Sequence, residues 1–255
     1  MRETTAPLLS LRQLTRRFGG LTAVDSVSAD IRRGELVGLI GPNGAGKTTL
    51  FNLISGVTPP SSGEVVFEGR VITGLRPFEV ARLGIARTFQ NLRIFPNMTV
   101  FDNVSVGAIR DSGLRDALFE RASARGQAIS SVSTEMLAKV GLASFSDELA
   151  ANLSYGKRKL LEIARALAGG PRLLILDEPA AGLNDTETAE LARFIERLRD
   201  EGLTILLVEH DMGLVMRVCS RVVVLAFGRK IADADPATVR RDPAVLDAYL
   251  GTGDE

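Results

Sequence analysis

Apolar runs too short for helices recur along the chain and end in polar residues. Glu35 to Ile40 is one, followed at once by Gly-Pro-Asn-Gly. Arg172 to Leu176 repeats the pattern and ends in Asp177, and Leu203 to Val208 ends in Glu209 and His210. Gly84 to Phe89 is a weaker fourth case, ending in Gln90. Continuous apolar runs suit strands covered on both faces. Between them, Lys47 to Ile54, Lys157 to Ala168 and Thr186 to Arg199 have helical spacing. The alternation predicts an α/β fold with a mainly parallel sheet. Leu8 to Ile31 alternates polar and apolar residues around Gly19-Gly20, which predicts an antiparallel hairpin on the flank of that sheet.

From Asn91 to Leu153 the β-like runs stop. Ser, Ala and Arg become frequent, and Val100 to Ile109 and Thr134 to Val140 have helical spacing. This reads as a helical insertion, dividing the chain into a core (1–90 and 154–255) and a helical subdomain (91–153). Pro236 to Arg241 and Pro243 to Leu250 read as two short terminal helices.

Composition narrows the class. With 45% hydrophobic and 24% charged residues in 255, the chain is long enough for a sizeable core and is not of disordered composition. Lys+Arg 31 against Asp+Glu 31 gives no net charge, which argues against a nucleic-acid binder working by bulk attraction to phosphates. Cys219 is the sole cysteine, so no intrachain disulfide forms, in keeping with a reducing cytosol. Met1 to Pro7 lacks an apolar stretch, and no run approaches the ~18 residues of a membrane span, so neither a signal peptide nor a transmembrane segment is expected.

The strongest chemical signal is Gly41-Pro42-Asn43-Gly44-Ala45-Gly46-Lys47-Thr48, followed by Thr49. It matches G-x-x-x-x-G-K-[ST], in which glycines let main-chain N–H groups curl around phosphates and the following helix turns its positive end toward them. Lys47 would neutralise β/γ charge and the Thr48 hydroxyl would ligate Mg2+. A chance match is expected in on the order of one chain in a hundred of this length, and here the motif also follows a strand and opens a helix. Asp177, at the end of a second strand, is the expected water-bridged Mg2+ partner. Glu178, one residue on, is positioned to polarise an attacking water as general base. His210, the only histidine, ends a third strand and would bond a γ-phosphate and orient the water. Gln90 would reach Mg2+ or the water through its amide. Four polar groups at four strand ends are expected to meet at one sheet edge. Ser154 is a credible N-cap for the helix after it, and on physical grounds alone Lys157-Arg158-Lys159 reads as a solvated basic turn.

Taken together these residues resemble the ATP-binding subunits of ABC transporters, over nearly the whole chain. The phosphate loop, Gln90 at the Q-loop position, Ser154-Tyr155-Gly156-Lys157 at the signature, Asp177-Glu178, Ala181-Gly-Leu-Asn184 at the D-loop and His210 at the switch position occur in family order. The stretches Arg17 to Val24, Ala86 to Phe95, Leu176 to Asn184, Glu209 to Met212 and Asp242 to Gly251 are similar to the branched-chain amino acid importers in particular.

The resemblance implies an ABC ATPase fold: a P-loop core with an antiparallel β subdomain near the N-terminus and a helical subdomain ending at the signature. It implies ATP and Mg2+ as ligands, Phe18 stacked on adenine, and Ser154, Tyr155, Gly156 and Lys157 facing ATP bound to a second ATP-binding subunit. That subunit is expected to be non-identical, with a homodimer as the other possibility. Integral membrane permease subunits, an extracytoplasmic substrate-binding protein and a peripheral place on the cytoplasmic face of the inner membrane are implied as well, with no nucleic-acid partner. Tyr155, Lys157 and Asn184 depart from the commoner family residues, and Lys157 brings a positive charge toward the opposing nucleotide. Competing readings are a lipopolysaccharide-export ATPase, a non-transport ABC ATPase acting on nucleic acid or ribosomes, and a phosphotransferase sharing only the phosphate loop. The last leaves the signature and His210 without a role.

Overall fold

Alternation of short apolar strands with amphipathic helices dictates the element order. The computed structural model describes residues 6–109 and 124–250. Strands β1 (Leu9–Phe18) and β2 (Leu21–Ile31) form the hairpin, with Phe18 opposite Leu21 across Gly19-Gly20. Strand β3 (Leu36–Ile40) runs into helix α1 (Lys47–Ile54). There follow β4 (Ser62–Phe67), β5 (Arg70–Val71), α2 (Pro77–Arg82) and β6 (Ile85–Arg87). Next come α3 (Val100–Ala108), α4 (Ala124–Lys139), α5 (Tyr155–Ala168) and β7 (Leu173–Asp177). The chain continues through α6 (Asp185–Asp200), β8 (Thr204–Val208), α7 (Met212–Val218), β9 (Arg221–Ala226), β10 (Arg229–Ala234), α8 (Pro236–Val239) and α9 (Pro243–Leu250).

Main-chain proximity groups these elements into two compact units, Met1–Leu83 with Ile195–Glu255, and Gly84–Phe194. The sequence division at 90/91 and 153/154 follows composition, whereas these units follow main-chain proximity. In the first unit β2, β1, β4 and β5 make an antiparallel sheet. There β3 lies between β8 and β9, parallel to both, and β10 pairs antiparallel with β9. Every residue of β3 and β8 is buried, as a parallel strand covered on both faces requires. Each such Leu, Ile or Val contributes about 1.5–3 kcal/mol by leaving water.

The second unit holds the parallel pair β6–β7, with Ile85 opposite Leu173 and Arg87 opposite Ile175, and the helices α3, α4 and α5. Fully buried Asn103 braces the segment before α3: its Nδ2 donates to the carbonyls of Phe95 and Thr99, and its Oδ1 accepts from Phe95 N–H. Helix α4 is longer than the predicted Thr134 to Val140. Its first half is rich in Gly, Ser and Ala, and Ser133 and Thr134 bond back to the carbonyls of Ile129 and Ser130, a local competition that blurs the periodic signal. Helix α5 starts at Tyr155, two residues before the predicted Lys157, because Ser154 caps it. Among the described residues, no helix is long and apolar enough to cross a membrane.

Candidate functional site

In the first unit, adjacent parallel strands β3 and β8 deliver the phosphate-loop residues and His210 to the same sheet end. The loop 41–46 closes on itself through Ala45 N–H to Pro42 carbonyl, and it is tied down by Gly228 N–H donating to the Ala45 carbonyl. Gly46 takes φ 99°, and a Cβ there would lie 2.3 Å from the Ala23 carbonyl oxygen, so only glycine fits. Gly46 offers α1 no capping side chain, and the first turn carries no acid. The N–H groups that a helix leaves unsatisfied at its start are thus presented beside a cation, an arrangement suited to an anion. That cation is Lys47. Its side chain lies against the loop, and Nζ donates to the carbonyls of Gly41 (2.7 Å) and Pro42 (2.9 Å). At 7% exposure, so buried an amine fits a partner that carries negative charge.

Phe18 is half exposed at the end of β1, with the Arg16 guanidinium 4.5 Å from its ring centroid. His210 is exposed, and its main-chain N–H donates to the buried Glu209 carboxylate at 3.1 Å. Asp211 caps α7 immediately after it, accepting from Leu214 N–H. Tyr249 of α9, passed over in the sequence reading, also belongs to this site. Burial pushes its phenol above the ordinary range, and a hydrogen bond with the Gly41 main chain pulls the other way.

The second unit brings together Gln90, Asp177 and Glu178 at the ends of β6 and β7. Gln90 Nε2 donates to Glu178 Oε2 at 2.7 Å. Glu178 takes φ 49°, a left-handed backbone unusual for a residue with a side chain and a frequent mark of functional sites. Asp177 is buried, and its Oδ2 accepts from Arg87 Nη2. Arg87 was not among the expected residues. The available signal was a guanidinium inside an otherwise apolar strand-like run, where an unmatched charge is costly.

The signature residues open α5. Ser154 Oγ accepts from Lys157 N–H at 3.4 Å, and Ser154 and Tyr155 are exposed. A Cβ at Gly156 would lie 2.6 Å from Glu187 Oε1, so a larger residue requires that carboxylate to shift. Glu187 is fixed there because it and Asn184 cap α6 reciprocally: Asn184 Oδ1 accepts from Glu187 N–H, and Glu187 Oε2 accepts from Asn184 N–H. Asparagine at 184 therefore serves as a helix cap within its own chain. The expected solvated basic turn is corrected on two counts: Lys159 is buried, and the Lys157 Nζ sits 3.7 Å from the Phe145 ring centroid, where the ring face engages its charge.

Among the described residues, no three His, Cys, Asp or Glu side chains cluster as a metal cage. In the second unit an amide (Gln90) and one carboxylate (Asp177) are donors of the kind that suit a small hard cation, which keeps waters and takes further ligands from phosphate.

Comparison with known proteins follows the same lines. A family model described as ABC transporter matches residues 24–181, and one described as branched-chain amino acid ATP-binding cassette transporter matches residues 229–255. The chain is 43% identical over 251 residues to the high-affinity branched-chain amino acid transport ATP-binding protein LivG of Salmonella typhimurium, covering 96% of this chain and 98% of that one. It is 34% identical over 244 residues to the lipopolysaccharide export system ATP-binding protein LptB of Escherichia coli, covering 95% and 97%. The crystal structure of the ADP conformation of MJ1267, an ATP-binding cassette of an ABC transporter, superposes with a TM-score of 0.85 at 31% identity, over 97% of this chain and 100% of that one.

Proposed function

Since this chain belongs to the ABC transporter family and is an ATP-hydrolysing cassette, we propose that it powers import of branched-chain amino acids. The observation that carries the substrate is the likeness to LivG along almost the full length, joined to the separate match of residues 229–255. LptB is less similar over a comparable span.

In this reading Phe18 stacks on adenine, and residues Gly41 to Thr49 cradle the phosphates through main-chain N–H groups. Lys47, held on the Gly41 and Pro42 carbonyls, exchanges those partners for phosphate oxygens. Thr48, Gln90 and, through water, Asp177 would hold Mg2+, which when bound would offset phosphate charge. Glu178 takes the proton of the attacking water, and His210 orients that water. Ser154, Tyr155, Gly156 and Lys157 face ATP held by a second cassette, and in each of two such sites the terminal phosphate joins one cassette's α5 N-terminus to the other's phosphate loop. Loss of that phosphate releases the pair, so the chemical step is read as a shift between closed and open populations. Permease subunits, a non-identical second cassette and an extracytoplasmic binding protein complete the transporter, with this chain at the cytoplasmic face of the inner membrane.

The test is reconstitution with permease subunits and binding protein in vesicles, with external leucine, isoleucine or valine. Amino-acid-stimulated ATP hydrolysis with uptake supports the reading. Hydrolysis indifferent to these amino acids but stimulated by lipopolysaccharide contradicts it.

A further inference from the structure

Helix α5 carries two charges, Lys159 and Glu162, that are each only 3% exposed. They lie one turn apart, on the stretch that begins with the signature; the sequence reading placed Lys159 in a solvated basic turn and gave Glu162 no role. Charged side chains are almost never so buried without partners. The partners here are main-chain groups. Lys159 Nζ donates to the Gln90 carbonyl and to the Glu178 carbonyl, both at 3.3 Å. Glu162 Oε1 accepts from Phe89 N–H (3.4 Å) and Arg93 N–H (3.2 Å), gripping the loop on either side of Gln90. Burial holds the Glu162 carboxyl above the ordinary carboxylate range, against the pull of those two N–H groups and of Arg165 and Lys159. The side chains of Gln90 and Glu178 meet between these anchors at 2.7 Å.

We infer that Lys159 and Glu162 are positioning residues that bind the signature helix, the Gln90 loop and the Glu178 backbone into one block. Any displacement of the α5 N-terminus is thereby transmitted to the Gln90–Glu178 pair. The main chain of Glu178 sits in a left-handed conformation, and its carbonyl is held from two sides, by Ala181 N–H at 3.2 Å and by Lys159 Nζ at 3.3 Å. Hydrogen bonds from an ammonium to two carbonyls suit that task, since they set main-chain geometry while leaving the Glu178 and Gln90 side chains available for chemistry. The inference rests on the reading of Glu178 as the base.

The experiment uses the full chain and measures steady-state ATP hydrolysis together with equilibrium nucleotide affinity. Lys159→Met keeps the volume and removes the donors; Lys159→Arg restores donors. The expected result is a fall in kcat of at least tenfold for Lys159→Met, with nucleotide affinity within twofold of wild type, and recovery of most of kcat in Lys159→Arg. Glu162→Gln, which keeps an acceptor oxygen, is expected to lose less than Glu162→Leu. Combining Lys159→Met with Gln90→Ala is expected to add little beyond the larger single effect. The inference is overturned by wild-type kcat in Lys159→Met. It is equally overturned if kcat and affinity fall together and arginine restores neither. Glu178→Gln in parallel separates the two claims: retained turnover there removes the base assignment, whatever Lys159→Met does.

Discussion

Arg87 Nη2 lies 2.8 Å from Asp177 Oδ2, and both side chains are 7% exposed. The acid expected to bridge to Mg2+ is thus held by a buried guanidinium from the neighbouring strand. Arg87 also packs near the Phe89 ring, 5.1 Å from its centroid. Removing one partner of a buried pair strands the other charge, at a cost of about 3–5 kcal/mol. Arg87→Leu is therefore predicted to lower the unfolding free energy by that amount in urea titrations. Arg87→Leu with Asp177→Leu should regain most of it, because an apolar pair of similar volume replaces a stranded charge.

Glu178 invites a separation of stability from turnover. Its left-handed backbone costs on the order of 1 kcal/mol, which glycine would not incur. Glu178→Gly is predicted to raise the unfolding free energy by about 1 kcal/mol relative to Glu178→Ala, while both abolish hydrolysis. Thermal unfolding beside an ATPase assay checks it.

Cys219 is buried, and burial pushes its thiol from 9.0 up to about 12. It remains a neutral thiol across the physiological range, so the native protein is predicted to resist alkylation at pH 8 and to react stoichiometrically once unfolded. The sign of the linkage follows. The unfolded thiol ionises from about pH 9, before the folded one, so this group's contribution to stability is lost as pH rises from about 9 toward about 12.

The Lys157–Phe145 contact predicts that the departure at this signature position is mild. The pair contributes about 0.5–1 kcal/mol at a partly exposed site. Lys157→Gln should alter stability by no more than that and leave turnover within twofold. A tenfold change in turnover would show that the ammonium acts on the nucleotide.

The fold was legible where the signal is local. The buried strands β3, β7 and β8 announce themselves as apolar runs, and the phosphate loop announces itself because main-chain curvature demands glycine at fixed spacing. Strands β4 and β9 are defined by pairing partners far along the chain: Val222 and Val224 meet Gly38 and Ile40, almost 200 residues earlier, and β10 is defined in turn by its antiparallel pairing with β9. The same reason hid Arg87, whose partner is 90 positions away. Lys159 and Glu162 were illegible for another reason. In a one-dimensional reading a lysine and a glutamate one turn apart look like a solvated helix face, and only packing reveals that this face is inside. Tyr249 meets the phosphate loop through a helix whose sequence offers no chemical motif.

The central claim is that the terminal phosphate of ATP joins two cassettes and that Glu178 ends the union by activating water. Sedimentation of the Glu178→Gln chain, alone and mixed with its partner cassette, measures this directly. The expected result is a stable dimer in saturating ATP with Mg2+ that reverts to monomers in ADP. Monomers throughout at saturating ATP, with nucleotide demonstrably bound, would contradict it.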